Sequence, residues 1–375
     1  MKSTNRDLSI DFAKGCAIIA MVVGHVCQDR IPDVFVNLFH MPFFLMASGY
    51  FFNCKKVQDF FGLRSFAVGK VWRLYVPYVF WTFTFVVLNN LLLKTHFLCL
   101  REEVGAEYKH FAYTSYLTLA DVPSRLVKVL LMHDWTQYTG SCWFLVYLLY
   151  ACVGYAVVTY VLKRMSLKVM FWQTLLALAC CVFGRFASWH EFYGGIKIGV
   201  GGRLFVCYAL FHLGVMLRNI DMAELLKRKL TAIFALLLSL GVLIGLCAAG
   251  CRIGIFMNKY DNGFVLILAA ISGWVMLYSA ARMVKFYAEP MLRFGAFVGR
   301  CTMYILIFHR LAIAVVNAVM VLAFDLPLVK IAARPTAFSG VAWDCVFIVA
   351  GVLLPLLLHY PYSYLQNLWA KKNIQ

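Results

Sequence analysis

Apolar runs long enough to cross a lipid bilayer recur along almost the whole chain, and this recurrence decides the fold class. A helix needs about 20 mostly apolar residues to span the hydrocarbon core. Ten segments meet that requirement, roughly 8–27, 34–53, 74–93, 142–162, 169–187, 200–217, 230–250, 263–281, 301–324 and 339–358. Arg185 and Arg203 interrupt the ends of the fifth and sixth. The chain is 63% hydrophobic and 14% charged, far below the roughly 25% charged residues of soluble domains. The expected fold is all-α, a polytopic integral membrane helical bundle of about ten transmembrane helices. No repeat or soluble appendage is visible, so residues 1–375 are expected to form a single membrane-embedded domain. The one long connection, 94–141, holds the polar stretch "LREEVGAEYKH" and the amphipathic stretch "PSRLVKVLLMH", which suits a membrane interface. The first apolar run carries Asp11 and Lys14 and lacks a small-residue cleavage site, so it does not read as a signal peptide.

The net charge of +18 raises the question of nucleic acid. With ten spans and the N-terminus inside, 20 of the 35 basic residues fall in inner segments, among them Lys2, Arg6, Lys371 and Lys372. The outer segments carry 12, counting Arg185 at the end of the fifth run with them, while acidic residues run 5 inside against 10 outside. This inside-positive bias predicts an N-in, C-in topology and accounts for the basicity without a nucleic-acid partner. The thirteen cysteines follow no zinc spacing and read as small buried hydrophobes. No metal site is expected.

The first span, "KGCAIIAMVVGH" from Lys14 to His25, is unusual in holding a cation and an imidazole within one apolar stretch. Eleven positions separate them. On a helix that is close to three turns, so both share a face about 16 Å apart along the axis. Asp11, 14 positions before His25, lies near the same stripe. Ionisable groups are costly in hydrocarbon and are expected to face the protein interior or a wet cavity. Snorkelling of Lys14 to the interface and a hydrogen-bonded interfacial His25 would satisfy the same pattern.

"RDLSIDFAKGCAIIAMVVGH" resembles the opening of the membrane-bound acyltransferase family 3, in which a basic residue, ten intervening residues and a histidine lie on the first helix. "FHMPFFLMASGYFF" (39–52) resembles that family's second helix. "KVWRLYVPYVFW" (70–81) resembles its basic loop, and "SCWFL" (141–145) a shared Trp-Phe-Leu segment. "VGRCTMYILIFH" (298–309) resembles its late Gly-Arg-x-Ser-x-x-x-Tyr-x-x-x-His helix. Lys14 and Lys70 stand where arginine is frequent, and Thr302 where serine is usual. Lysine keeps the charge but not the bidentate fork. The resemblance implies an O-acyltransferase of the bacterial cytoplasmic membrane. It would move an acyl group, usually acetyl from acetyl-CoA, to a hydroxyl of an extracytoplasmic or lipid-linked carbohydrate. The donor is a substrate; no permanently bound cofactor is implied.

The residues permit that chemistry. Coenzyme A phosphates need cations, and Lys70 and Arg73 are helix neighbours three positions apart. Lys14 would line the donor path or hold a phosphate, with Asp11 pairing to Lys14 or Arg73. His25 is the expected general base, since a sugar hydroxyl needs a group that takes its proton near neutral pH. Trp143 is expected to wall the site or anchor at the interface, and Arg203 to face the cavity. His309 and Arg310 point about 100° apart on a helix, so at most one faces the path squarely. The resemblance favours His309, with Arg310 pairing to Asp344. His40 and His359 are expected at interfaces, and the glycine-rich 194–202 segment as a flexible approach to the sixth span. No Gly-x-Ser-x-Gly elbow, His-Glu-x-x-His or P-loop is present. The same polar stripe would also serve a transporter or exporter of a glycan or lipid-linked sugar, although no inverted repeat is apparent.

Overall fold

The structure is a computed structural model that describes residues 8–189, 192–193, 196–197 and 201–358. Lys2, Arg6, His359, Lys371, Lys372 and part of the 194–202 segment lie outside the described residues. Among the described residues, seven helices are long and apolar enough to cross a membrane: Leu8–Val26, Ile31–Tyr50, Gly140–Arg164, Val169–Ser188, Lys229–Ala248, Gly263–Tyr287 and Thr302–Ala323. Two shorter apolar helices, Arg203–Leu217 and Val341–Leu357, fall where the sixth and tenth spans are expected.

The third expected span, 74–93, is not one helix. Pro77 has no N–H to return to the carbonyl of Arg73, and its ring crowds that turn. The residues just before it, Val71–Tyr75, widen into π turns, a known response to such a conflict. The helix Val76–Val87 then stops, and Asn89–Lys94 forms a separate short piece. Asn89 and Asn90 account for the second break. The Asn89 side chain donates to the Ser115 carbonyl, while Asn90 donates to the carbonyl of Leu117 and accepts from its N–H. These side chains therefore hold the long 94–141 connection against the helix end.

The chain folds as two compact units. The first comprises the chain up to Met21, Asp29–Tyr78 and Trp143–Phe297. Its helices pack closely where side chains are absent. A Cβ on Gly49 would collide with the Phe211 carbonyl, and one on Gly214 with the backbone of Met46. Helices His40–Tyr50 and Arg203–Leu217 thus meet backbone to backbone, the small-residue contact that drives helix association in lipid. A buried polar network ties three helices of this unit. Thr174 donates to the Met170 carbonyl, so its oxygen accepts from Nε2 of His212, and Nδ1 of His212 accepts from the Tyr155 hydroxyl. Gln173 links to Thr159 and Tyr208 beside it. His40, expected at an interface, is instead buried, with its Nδ1 2.8 Å from the Val36 carbonyl.

The second unit comprises Val22–Gln28, Val79–Cys142 and the chain from Val298 onward. Its frame is the pair of helices Thr302–Ala323 and Val341–Leu357. Gly351 lets Val22, near the end of the first helix, pack closely, since a Cβ there would lie 2.8 Å from a Val22 methyl. A small backbone ladder completes the unit. Cys99–Leu100 pairs in parallel with Tyr113–Thr114. Phe111 bridges Ala333, Ala112 N–H donates to the Ala332 carbonyl and Arg334 N–H to the His110 carbonyl, the last two at 2.7 Å. Asn317 is fully buried in the Thr302–Ala323 helix and grips the 331–337 loop. Its amide donates to the carbonyls of Ile331 and Ala333, and its oxygen accepts from Ala337 N–H. Arg334 is thus fixed by its neighbours on both sides.

Candidate active site

The second unit contains a small cleft with a cavity volume of about 40 Å³. His25 lines it together with Gln28, Gln137, Tyr138, Arg310 and Arg334; Ala112, Ile313 and the 331–335 loop complete the wall. No Asp or Glu is among the lining residues. His25 stands near the C-terminal end of the helix Leu8–Val26, partly exposed to the cleft. Its Nε2 lies 3.3 Å from the Ser141 hydroxyl, which is buried in the turn Gly140–Cys142.

The imidazole of His309 stacks on that of His25, with ring centroids 4.9 Å apart and planes 25° from parallel. His309 Nδ1 lies 2.9 Å from the Ile305 carbonyl and 3.1 Å from the Leu306 carbonyl. Carbonyls only accept, so Nδ1 carries the proton. In the neutral ring Nε2 then holds the lone pair, buried and without a hydrogen-bond partner among the described residues. The structure thus brings His309 and His25, two of the expected site residues, into direct contact.

Of the two adjacent positions, Arg310 lines the cleft, whereas His309 is fully buried and not among the lining residues. His309 supplies a ring against His25, while the Arg310 guanidinium lines the wall. Arg310 does not pair with Asp344 as expected. Its Nη1 donates to the Gln137 carbonyl at 3.2 Å. The space for it is opened by Gly140, where a Cβ would lie 3.0 Å from that Nη1. Arg334 donates to the Gln137 side-chain oxygen at 2.5 Å, and the Gln137 amide donates on to the Tyr113 carbonyl. Burial pulls the Arg334 guanidinium below the ordinary arginine range, and the nearby Tyr138 phenol opposes that shift.

The remaining expected residues lie in the first unit. Lys14 donates to the Asp11 carboxylate at 3.3 Å, as the i,i+3 spacing allows, and sits over the Phe51 ring. Asp11 is buried and Lys14 partly exposed, the arrangement expected where a carboxylate offsets the cost of a cation inside a helix bundle. Lys70 ends its α-helix over the Phe66 ring, and Arg73 is exposed within the π turns. The π turns begin directly after Lys70, so Arg73 sits in a wider turn than the regular helix expected for this pair. Arg203 does not face an open path. It is 3% exposed, with its guanidinium carbon 4.1 Å from the Tyr147 ring centroid, 5.0 Å from Trp143 and 5.3 Å from Phe256. It also donates to the Phe256 carbonyl at 2.7 Å. Trp143 is thus one wall of an aromatic cage that carries a buried cation.

Residues 7–360 match a family described as an acyltransferase domain, the acyltransferase 3 family. The chain belongs to that family. It is also similar to the nodulation protein NolL of Mesorhizobium japonicum, 34% identical over 93 residues. The NolL protein of Sinorhizobium fredii is 35% identical over 91 residues. Each match covers 21% of this chain and 24% of the relative, so the chain spans about a quarter of the length of these curated relatives. No solved structure matches the chain.

Sequence reasoning missed Ser141, Gln137, Arg310 as a cleft residue, Arg334 and Asn317. Ser141 opens the "SCWFL" segment, so it was within reach. Gln137 and Arg334 sit in irregular chain 197 residues apart, where no periodic pattern signals a shared wall.

Proposed function

We propose that this acyltransferase-family protein is an integral membrane O-acyltransferase, most simply an O-acetyltransferase, and that residues 1–375 work as one membrane-embedded domain. The donor is acyl-CoA and the acceptor a hydroxyl of an extracytoplasmic or lipid-linked carbohydrate. One observation carries the reading: His25, on the family's first-helix motif, opens onto a cleft with its ring held by Ser141 and His309. A group held in one orientation at a cavity wall is what general base catalysis requires.

In this reading the acceptor hydroxyl gives its proton to the His25 imidazole as its oxygen attacks the thioester carbonyl. The carbon–sulfur bond then breaks, and the departing thiolate takes the proton back to leave as free coenzyme A. Lys14, Lys70 and Arg73 contact the donor's phosphates. Lys14 precedes His25 by about 16 Å along the same helix, a separation that keeps phosphates away from the base while the arm carries the thioester toward it. Asp11 offsets the charge of Lys14. Trp143 and Arg203 act as a structural brace in the first unit. The topology is N-in and C-in in a bacterial cytoplasmic membrane, with the two shorter apolar helices and the broken 74–93 segment completing ten crossings.

The test is acetyl transfer from radiolabelled acetyl-CoA to carbohydrate by the purified full-length protein in detergent or nanodiscs. Label in the sugar product that depends on the protein supports the reading. Carbohydrate flux into liposomes without acetyl-CoA, and no label in any sugar, replaces it with the transport reading.

A further inference from the structure

We propose that Arg310 and Arg334 form a subsite for an anionic group, a carboxylate or a phosphate, carried by the acceptor. The inference rests on the acyltransferase reading and adds the chemical class of the acceptor. Both guanidinium groups line the same cleft as His25. Among the described residues no carboxylate pairs with either; both donate to the neutral Gln137, one to its backbone carbonyl and one to its side-chain oxygen. Two partly buried cations beside one another without a counter-charge are costly to keep. Here the fold invests in keeping them. Gly140 leaves room for Arg310, and Asn317 with the 110–112 and 331–334 ladder fixes the backbone of Arg334. Guanidinium forks are the side chains best matched to carboxylate and phosphate oxygens.

The donor's own phosphates are the rival source of negative charge. They are separated from the thioester by the whole pantetheine arm. Phosphates held beside His25 would therefore hold the thioester away from it. An anion in this cleft is better supplied by the molecule whose hydroxyl must meet His25. The acceptor so defined is an acidic glycoside or a sugar close to a phosphate, not a neutral polysaccharide segment.

The experiment uses purified full-length protein and three acceptor probes: octyl glucoside, octyl glucuronide and octyl glucoside 6-phosphate. Both transfer from labelled acetyl-CoA and equilibrium binding by calorimetry are measured. The expected kcat/KM is about tenfold or more higher for an anionic probe than for the neutral one, the size of a charge-assisted contact. In Arg334→Gln and Arg310→Gln that ratio falls toward one, and Arg334→Lys restores part of it. Thermal melts separate misfolding from loss of the subsite. Equal use of neutral and anionic probes by the wild type overturns the subsite and leaves the acyltransferase reading intact. So does a substitution that raises the KM for acetyl-CoA while the probe ratio persists, because that outcome assigns the arginines to the donor. Tight binding of an anionic probe, weakened by Arg334→Gln, without any acetyl transfer keeps the subsite and removes the catalytic reading.

Discussion

Replacing His25 should separate catalysis from folding. His25 is only partly buried, and its contacts include the Ser141 hydroxyl at 3.3 Å and the His309 ring at 4.9 Å. Losing one long hydrogen bond and one ring stack costs stability on the order of 1–2 kcal/mol. Losing a general base costs about 10²–10⁴ in rate. At about 1.4 kcal/mol per factor of ten that is roughly 3–5 kcal/mol of barrier. The catalytic loss is thus expected to exceed the structural one severalfold. His25→Gln sharpens the contrast, because its amide still reaches toward Ser141 but takes no proton at neutral pH. The assay is the release of coenzyme A thiol with an acceptor present, paired with a thermal melt of the same preparation. Both His25→Ala and His25→Gln should melt within a few degrees of the wild type and lose at least a hundredfold in kcat. Turnover within a few fold of the wild type in either variant refutes His25 as the base.

Five further outcomes follow from the structure. Ser141→Ala removes a group that orients His25, so kcat should drop about tenfold and stay above that of His25→Ala; a loss as deep as that of His25→Ala in the same assay would make Ser141 the nucleophile instead. Asn317→Ala frees two carbonyls and one N–H, so the melt should show a loss of about 2–4 kcal/mol, since each stranded group costs about 1–3 and two of the bonds are long. Gly49→Ala should lower the melting temperature sharply because its Cβ meets the Phe211 backbone. Gly154→Ala, with open space around it, should be neutral or slightly stabilising, by about 0.5–1 kcal/mol at most. Arg73→Ala should raise the KM for acetyl-CoA by about tenfold with little change in kcat, and steady-state kinetics at varied donor read this directly.

The transmembrane plan was legible because hydrocarbon leaves few solutions: a backbone in lipid must satisfy itself, and long apolar runs become helices. Where the plan failed, local chemistry overrode length. Pro77 turned the start of an expected span into π turns, and Asn89 and Asn90 ended it by binding loop carbonyls. A hydropathy window averages over both effects. The Asp11–Lys14 contact was legible for the opposite reason, since a three-residue spacing within a helix fixes which side chains meet.

The candidate site was legible only in part, and the missing part has a common cause. His25 could be found because a histidine in an apolar helix is expensive and needs a reason. Its stack on His309 joins residues 284 positions apart in chain, which helix periodicity cannot report. Arg310 exposes a second limit. Helical spacing shows that only one of two adjacent residues faces a path squarely, but not which one; Arg310 lines the cleft wall, while His309 is buried against His25. Arg334 adds a third, because it is positioned by a loop that only Asn317 and a short backbone ladder hold in shape. The two cations that line the cleft with His25 are therefore the ones that sequence patterns discriminate least. This matters for the choice of substrate: in the proposed function the stripe on the first helix is the donor path, whereas the proposed acceptor subsite lies in residues brought together by tertiary structure alone.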